Sequence, residues 1–587
     1  MTLLPFPPYA PDVSPFEDNE SGVIQNVFPR ADGYGPAPSL SVYSQALSAT
    51  CRGYFYARNA DGSVTLFAAT ATSLYKLNNT DFSWTNVSLS GGPYSSIPAG
   101  DQWQFAQFNN FVFAVQINVA PQVFDLTSST AFANLGGSPP QARYIAVVNR
   151  FAVLSGLGSS TPYRIQWSGL NSTTTWTSGV NSSDFQDLPD GGIVRGVAGG
   201  ETGLIMQDAA IRRMIYAPGS PVIFQIERVA QDKGIFAPLS LVRGGDKVFF
   251  CGNDGFQMVT PGAYPQFIGK ERVDRSFFAD VDSSNLQLMI GAYDPQATRI
   301  YWAYKSLAGS SGLFDKILVY DFVLDKWSLI TGIMGEYIAT LAKPGLTIEN
   351  MDKLASGVIS ISGAANNGSN AIRLTLGSEV ASWTYGLADA AHSAGQAGTT
   401  NLSNSSQNTI EVYGVMGTVE ANGNWHFTVV DGTHIDLVGS TFTNAYVSGG
   451  MIGGAVDSIA FSLDSVSTNA LAQLSVVNPA HQLCFNTGTP LEAILDTTEE
   501  ALDAERRVRV KGLRVMSDAP TCYGSVGARE TLQQTPTYSA EELINNKGLC
   551  IANISTRMAR GRLHIPAGTI WSFAIGLDPL FASEGRR

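Results

Sequence analysis

Charge is what this chain has least of: only 14% of its 587 residues are Asp, Glu, Lys or Arg, against about a quarter in an average soluble domain. What charge there is leans acidic, with 36 Lys and Arg against 49 Asp and Glu and a net −13. That balance argues against an electrostatic grip on nucleic-acid phosphates or on an anionic membrane, both of which call for basic patches. Cysteine is sparse too (Cys51, Cys251, Cys484, Cys522, Cys550), odd in number and without a C-x-x-C pair. This excludes a zinc knuckle and a disulfide framework, and buried reduced thiols are the expectation. Histidine occurs five times (His392, His426, His434, His481, His564). His426 and His434 fall on adjoining strands of one expected hairpin, but no third ligand follows at metal spacing, so no metal is expected. No apolar run reaches the roughly 18 residues that span a bilayer, so no membrane anchor is expected.

The motifs of common catalysts are missing as well. There is no G-x-x-x-x-G-K-[ST], no G-x-G-x-x-G opening a helix, no G-x-S-x-G and no H-E-x-x-H, and Gly156-Leu-Gly158 lacks a third glycine. No cofactor is expected. Asp184, Asp187 and Asp190 crowd one short stretch and would supply an acid and a base if two of them flanked a glycosidic bond. A solvated acidic turn explains the same residues. The S-x-D-x-G-x-x-W turn of sialidase-type propellers occurs nowhere. The N-terminus has no basic start, and Pro5, Pro7, Pro8 and Pro11 break its apolar run, so it reads as an extended arm rather than a signal peptide. Sequons such as those at Asn86, Asn171 and Asn553 then follow from turn composition.

Glycine, by contrast, is abundant at 59 residues, and short apolar runs separated by Gly, Ser, Thr and Asn fill the chain, the pattern of many strands and tight turns. From about Gly53 to Ile330 these runs group into units of roughly 40 to 50 residues, the period of propeller blades. The first unit runs through Gly53-Tyr-Phe-Tyr-Ala, Val64-Thr-Leu-Phe-Ala-Ala, Ser73-Leu-Tyr-Lys-Leu and Phe82-Ser-Trp. About six such units follow one another, and aromatics recur near the last strand of several (Trp84, Phe132, Trp176, Trp327), where blades would pack face to face. An array of β-sandwiches is the alternative. Residues 357–454 turn rich in Ala, Gly, Ser, Thr and Asn and read as an inserted β module with a hairpin meander around Glu420 to Leu437. Asp496 to Arg507, acidic first and basic last, is the expected helix of a C-terminal β domain. The expectation is an all-β dominated chain: an extended arm and lead-in (1–50), a propeller of about six four-stranded blades (51–345), an inserted β module (346–465), and a C-terminal β-rich platform carrying one helix (466–587).

Three blocks resemble a known family. The first is Asn26-Val-Phe-Pro-Arg-Ala-Asp-Gly-Tyr-Gly-Pro-Ala-Pro-Ser-Leu. The second comprises Ile165-Gln-Trp-Ser-Gly-Leu-Asn, Ser183-Asp-Phe-Gln-Asp-Leu-Pro-Asp-Gly-Gly and Phe249-Phe-Cys-Gly-Asn-Asp-Gly-Phe. The third is Pro490-Leu-Glu-Ala-Ile-Leu-Asp-Thr with Ile565-Pro-Ala-Gly-Thr-Ile-Trp-Ser-Phe-Ala-Ile-Gly-Leu-Asp. In this order they are similar to the tail nozzle, or tail tubular, proteins of short-tailed bacteriophages, over about 20–345 and 455–587. The resemblance implies a virion protein assembled in the host cytoplasm: a homo-oligomeric, hexameric ring below the portal and adaptor rings. It further implies a channel for DNA in transit without tight binding, an outer surface for tail fibres or spikes, and no turnover. Within it, Asp184, Asp187 and Asp190 are candidates to line the channel. Arg212, Arg213, Arg506 and Arg507 are candidates for inter-subunit ion pairs. A carbohydrate-degrading or receptor-binding tail protein is the alternative.

Overall fold

The structure is a computed structural model describing residues 3–13, 23–79, 82–89, 93–342, 359–377, 409–453, 472–501 and 507–583. The chain is all-β, and its largest part is a β-propeller. Five blades are local meanders whose strands pair antiparallel in sequence order. Blade 1 runs from Tyr54–Arg58 to Trp84–Asn86, blade 2 from Gln104–Phe108 to Ala133–Asn134, and blade 3 from Ala142–Val148 to Asp184–Asp187. Blade 4 extends from Val194–Ala198 to Phe224–Gln231 and blade 5 from Val242–Gly244 to Gln266–Phe267. Blade 6, Ile290–Asp294 to Lys326–Ile330, has the same meander inside a larger sheet.

The second strand of each meander shows why these residues fold so. Val64–Ala69 and Phe151–Leu157 are buried along their whole length, and Lys247–Gly252 and Arg299–Tyr304 are buried after their first residue. A strand covered on both faces reads as a continuous apolar run rather than an alternation. The last strands of blades 2 and 5 face solvent instead: Ala133–Asn134 and Gln266–Phe267 are exposed. Between blades the apolar faces merge into successive cores, one joining Phe67 and Trp103 with Phe124 and Phe132, another Phe256 with Trp302 and Trp327. Three of the four aromatics expected at blade interfaces (Phe132, Trp176, Trp327) are buried in these cores, and Trp84 packs at the edge of one. Each large side chain so buried stabilises the fold by about 1.5–3 kcal/mol relative to exposure. Blades 5 and 6 meet so closely that a Cβ on Gly291 would lie 2.2 Å from Val242 Cγ2.

A seventh blade, beyond the six units read from the sequence, closes the ring. Its strands, in spatial order, are Tyr337–Ala342, Ala472–Val477, Gln482–Phe485 and Ser41–Ala46. The N-terminal region thus supplies the outer strand of the last blade. One core joins Tyr54 and Leu66 of blade 1, Tyr301 of blade 6 and Ile338 and Val476 of blade 7. A buried carboxylate fastens the closure: Glu336 accepts the Cys51 amide on one oxygen (2.8 Å) and lies 2.6 Å from His481 Nδ1 through the other. Burial there pushes the Glu336 carboxyl above its ordinary range.

Residues 359–377 and 409–453 form a closed six-stranded barrel around Ile372, Leu374, Val412, Phe427 and Ile435. It is inserted between the first two strands of blade 7, and Ala342 and Ala472 on either side of it pair directly. His426 and His434 do not come together here. The register sets them at opposite ends of the strand pair, where the His426 carbonyl accepts the Val438 amide and His434 Nδ1 lies 2.8 Å from Asp431.

The C-terminal residues make a sandwich fused to blade 6. Ile24–Gln25 pairs parallel with blade 6 and antiparallel with Ala493–Asp496, so one ten-stranded sheet continues out of the propeller. A second sheet, in which Ala574–Ser583 pairs with Val508–Ser517, covers it over Leu495, Val510, Leu513, Leu563 and Leu577. The helix expected over Asp496 to Arg507 is not formed in its described part. Asp496 ends a strand and Glu500 bridges Ala559, and 502–506 lie outside the described residues. Its acids act across strands instead. Asp496 takes Arg562 in a bidentate pair (2.7 and 2.9 Å), and Glu499 pairs with Arg529 at 2.6 Å. The one α-helix among the described residues is Asp274–Asp280, and its amides at Arg275 and Ser276 donate to Asp12 of the N-terminal arm (2.6 and 2.8 Å). Over 3–13 the arm lies on its own chain, with Leu4 opposite Leu577 and Phe6 buried.

Candidate functional site

Two features bear on function: the axis of the propeller and the charged outer edge of blades 3 and 4. The axis holds a cavity of about 330 Å³ lined by the first strands of blades 2, 3, 4, 6 and 7 and the lead-in to blade 5. Phe105, Tyr144, Val197, Leu239 and Tyr337 are among the residues that line it. Burial and the nearby Asp101 carboxylate push the Tyr144 phenol up to about 12, so it stays protonated at neutral pH. Arg243 is the charged residue of the lining, and it is spent on structure, donating to the carbonyls of Gly199, Thr202 and Gly245. At one end Arg143 pairs with Asp101 at 3.0 Å. A space of this volume corresponds to about ten water molecules, so the axis of one subunit is no passage for a duplex.

Asp184 and Asp187 lie on the outermost strand of blade 3, at the opposite end of the sheet from the axis. Asp187 is held in a bidentate pair by Arg164 (2.6 and 2.9 Å), whose guanidinium also sits 3.8 Å over the Phe185 ring. That hydrogen-bonded guanidinium draws the Asp187 carboxyl below its ordinary value. Asp184 accepts from Ser178 Oγ at 2.6 Å and from the Phe185 amide. Asp190, on the turn into blade 4, is bound by Arg212 (2.5 Å) and by Arg228. A general acid needs a carboxyl raised toward neutrality, and Asp187 is shifted the other way.

The basic candidates fare differently. Arg212 is buried and bridges Asp190 and Gln207, and Arg213 pairs with Glu227 at 2.6 Å. The pairing of arginines with the acidic stretch that sequence suggested between subunits is present inside one chain. Arg507 pairs with Glu530 on the C-terminal sandwich, and Arg506 lies outside the described residues. Sequence reading missed the buried Glu499–Arg529–Arg560 cluster beside Asp496–Arg562. The signal was Arg560-Gly-Arg562, two cations at strand spacing and therefore on one face.

All five cysteines are free and buried. Among the described residues no group of three or more His, Cys, Asp or Glu is arranged to hold a metal ion, and no helix is long and apolar enough to cross a membrane.

No known protein-family model matches the chain, and no curated protein matches it. Solved structures do align with it. YCF48 bound to the D1 peptide is 12% identical, with a TM-score of 0.31, and the alignment covers 50% of this chain and 86% of that one. A protein from Lactobacillus plantarum is 12% identical with a TM-score of 0.32, over 48% of this chain and 85% of that one. BamB from Moraxella catarrhalis is 10% identical with a TM-score of 0.30, over 57% and 85%. At such scores the propeller assignment rests on the sheet order described above.

Proposed function

We propose that this chain is a structural subunit of a short bacteriophage tail, a nozzle protein that assembles into a hexameric ring below the adaptor and conducts the genome outward. The observation that carries the reading is the ordered presence of the three family-like blocks. Their meeting in space supports it. Asn26, in the first block, accepts the Thr331 amide beside blade 6 and donates to the Glu492 carbonyl in the last (2.8 and 2.9 Å). Pro38 and Pro490, also from the first and last blocks, bridge. Such a joint gives a ring subunit a rigid connection between propeller and platform.

In this reading the DNA passes between subunits, since the axis of each propeller holds only a cavity of about 330 Å³. A net −13 per chain discourages phosphate adhesion at short range, within the screening length of about 8 Å at physiological salt. The virion tail is its location, the adaptor ring and fibres or spikes are its neighbours, and it turns nothing over.

Electron microscopy of the purified protein, alone and with its adaptor, tests the proposal. Sixfold rings with an open centre are expected. A stable trimer would favour the carbohydrate-degrading or receptor-binding alternative, and so would sugar release from host capsule or lipopolysaccharide that disappears in Asp187→Ala. The rings should show no duplex binding in a gel shift at physiological salt. Tight, salt-sensitive binding would remove the repulsive conduit from the proposal.

A further inference from the structure

Asp274 is a carboxylate in an unusual place. It opens the helix Asp274–Asp280 and is only 9% exposed. Its Oδ1 accepts the Phe256 amide at 3.0 Å, while its Oδ2 is buried with no hydrogen-bond partner. Two glycines close the niche around it. A Cβ on Gly255 would stand 2.1 Å from Oδ2, and one on Gly269 would stand 2.0 Å from Oδ1. Backbone packed this tightly leaves room for a proton on Oδ2 but not for a coordinated cation, whose oxygen ligands stand about 2.0–2.6 Å away on several sides.

The same helix start is where the N-terminal arm is held. Asp12 Oδ2 accepts the Arg275 amide, and its Oδ1 accepts the Ser276 amide and hydroxyl (2.8 and 2.6 Å). The Asp12 amide donates to the Arg272 carbonyl at 3.0 Å, and Arg275 turns its guanidinium to the Asp12 carbonyl. The arm is therefore moored by an anion one residue along the chain from a buried carboxyl.

We propose that Asp274 is a proton-operated latch for the N-terminal arm: with its carboxyl neutral, Asp12 stays docked on the helix, and with it ionised the arm detaches. The groups facing Asp274 fix the direction of the effect. From the arm comes Asp12. From the turn of blade 5 comes Asp254, whose charge is engaged by Lys233, and from the strand before it the buried thiol of Cys251. On the helix itself Arg275 is committed to Asp12, and on the preceding loop Arg272 is committed to Asp325 while Lys270 sits over the Phe267 ring. No cation is left to neutralise an ionised Asp274 among these neighbours. Burial, with the Asp12 and Asp254 charges behind it, pushes the carboxyl up to about 6. Of its two anionic neighbours, Asp254 is fixed in a blade turn, and Asp12 belongs to a stretch after the paired Leu4 and the buried Phe6 that lies in no strand or helix and can open by local unfolding.

Hydrogen exchange on the full chain at pH 5 and pH 8 tests this, read as protection factors so that intrinsic exchange is already removed. The amides of Asp12, Arg275 and Ser276 should be protected about tenfold less at pH 8 than at pH 5, while those of blade 2 stay unchanged. In Asp274→Asn the difference should vanish. Equal protection of the wild-type amides at both pH values overturns the latch, and so does a difference that persists in Asp274→Asn. Should that variant fail to fold, Asp12→Asn removes the like charge without touching the niche. A smaller pH effect on the Arg275 and Ser276 amides in that variant supports the coupling, and an undiminished one refutes it.

Discussion

Blade 2 and blade 7 have the same four-stranded form but are made from the chain in opposite ways. Blade 2 is one continuous meander, Gln104 to Asn134, in which every strand pairs with its neighbour in sequence. Blade 7 takes strands from residues 41–46, 337–342, 472–477 and 482–485, and its Ser41 and Phe485 are pairing partners 444 residues apart. The comparison separates two kinds of cooperativity. A local blade closes short loops and needs its neighbours only to cover its faces. The dispersed blade can form only when both ends of the chain have arrived, so it makes ring closure contingent on the whole. Loop-closure entropy grows slowly with length, about 0.6 kcal/mol per doubling, so such long-range pairing is thermodynamically affordable. Its cost falls on folding rate, since non-local contacts form late.

The most severe way to break the comparison is to delete residues 1–46. That removes the outer strand of blade 7 and also the strands Ile24–Gln25, Val27–Arg30 and Gly33–Pro36, which hold the C-terminal sandwich to blade 6. Expression should yield insoluble protein or a chain without a cooperative thermal transition by circular dichroism. A soluble product with wild-type melting would show that the propeller closes without its dispersed blade.

Next in size is the other long-range attachment, the arm on the helix Asp274–Asp280. The Asp274 carboxyl sits at about 6 in the folded chain against 3.8 as its ordinary value. Folding therefore takes up a proton. The stabilisation from that uptake is complete below pH 3.8 and is lost as the pH rises through about 6. At one pH unit per 1.36 kcal/mol the loss is at most about 3 kcal/mol by pH 8. Asp274→Asn should melt higher than wild type at pH 8 and close to it at pH 4. A variant destabilised equally at both pH values would mean that the carboxyl is needed for its shape rather than titrated.

A smaller effect is expected at the closure itself. Glu336→Ala leaves the buried Cys51 amide without its acceptor and removes the partner of His481, a loss of about 1–3 kcal/mol. Removing the local Gln107 side chain, whose amide and carbonyl tie blades 1 and 2 at exposed Arg58, should cost less than about 1 kcal/mol. Urea titration of the two variants measures the contrast, and equal losses would erase the distinction between dispersed and local blades.

The same distinction explains what could be read from the sequence. Blades 1 to 6 were legible because each is a local series of apolar runs, and the most conspicuous run in each, such as Phe151-Ala-Val-Leu, is the doubly covered second strand. Blade 7 was not. Ser41-Val-Tyr-Ser-Gln-Ala and Ala472-Gln-Leu-Ser-Val-Val carry ordinary strand signals, but the partner of the first, Gln482–Phe485, lies near the far end of the chain, and the second, which forms a hairpin with Gln482–Phe485, takes its other partner, Tyr337–Ala342, from across the barrel. The helix over 496–507 was misread for a related reason: its acids resemble a dipole pattern only while Arg529, Arg560 and Arg562, which bind them, are out of view. At the candidate site, the acidic stretch around Asp184, Asp187 and Asp190 was visible, whereas its neutralisation was not. Arg164, Arg212 and Arg228 come from other strands, and only the sheet order brings them in. The short helix at Asp274 carries no periodicity, and the acceptor for its first amides comes from Asp12 in the N-terminal arm.

The mildest perturbation should be removal of the barrel, although it deletes more residues than the N-terminal truncation. The barrel sits between the first two strands of blade 7, where Ala342 and Ala472 are antiparallel partners, so their Cα atoms are about 4.5–5.5 Å apart. The barrel's own ends are adjacent as well, since Ile359 pairs with Ile452. Two pairs of neighbouring ends mean that the barrel enters and leaves the blade at one place, and its core of Ile372, Leu374, Phe427 and Ile435 is built from its own strands. Replacing 357–454 with a short Gly/Ser linker therefore exchanges one closed loop for another of comparable effective length. The entropy difference is on the order of 0.6 kcal/mol for each doubling or halving of that length. The shortened chain should stay soluble, keep its β-type spectrum and unfold cooperatively within a few degrees of the intact protein. If melting instead falls as far as in Glu336→Ala, the barrel contributes to ring closure, and the dispersed blade would depend on the insertion as well as on the N-terminal strand.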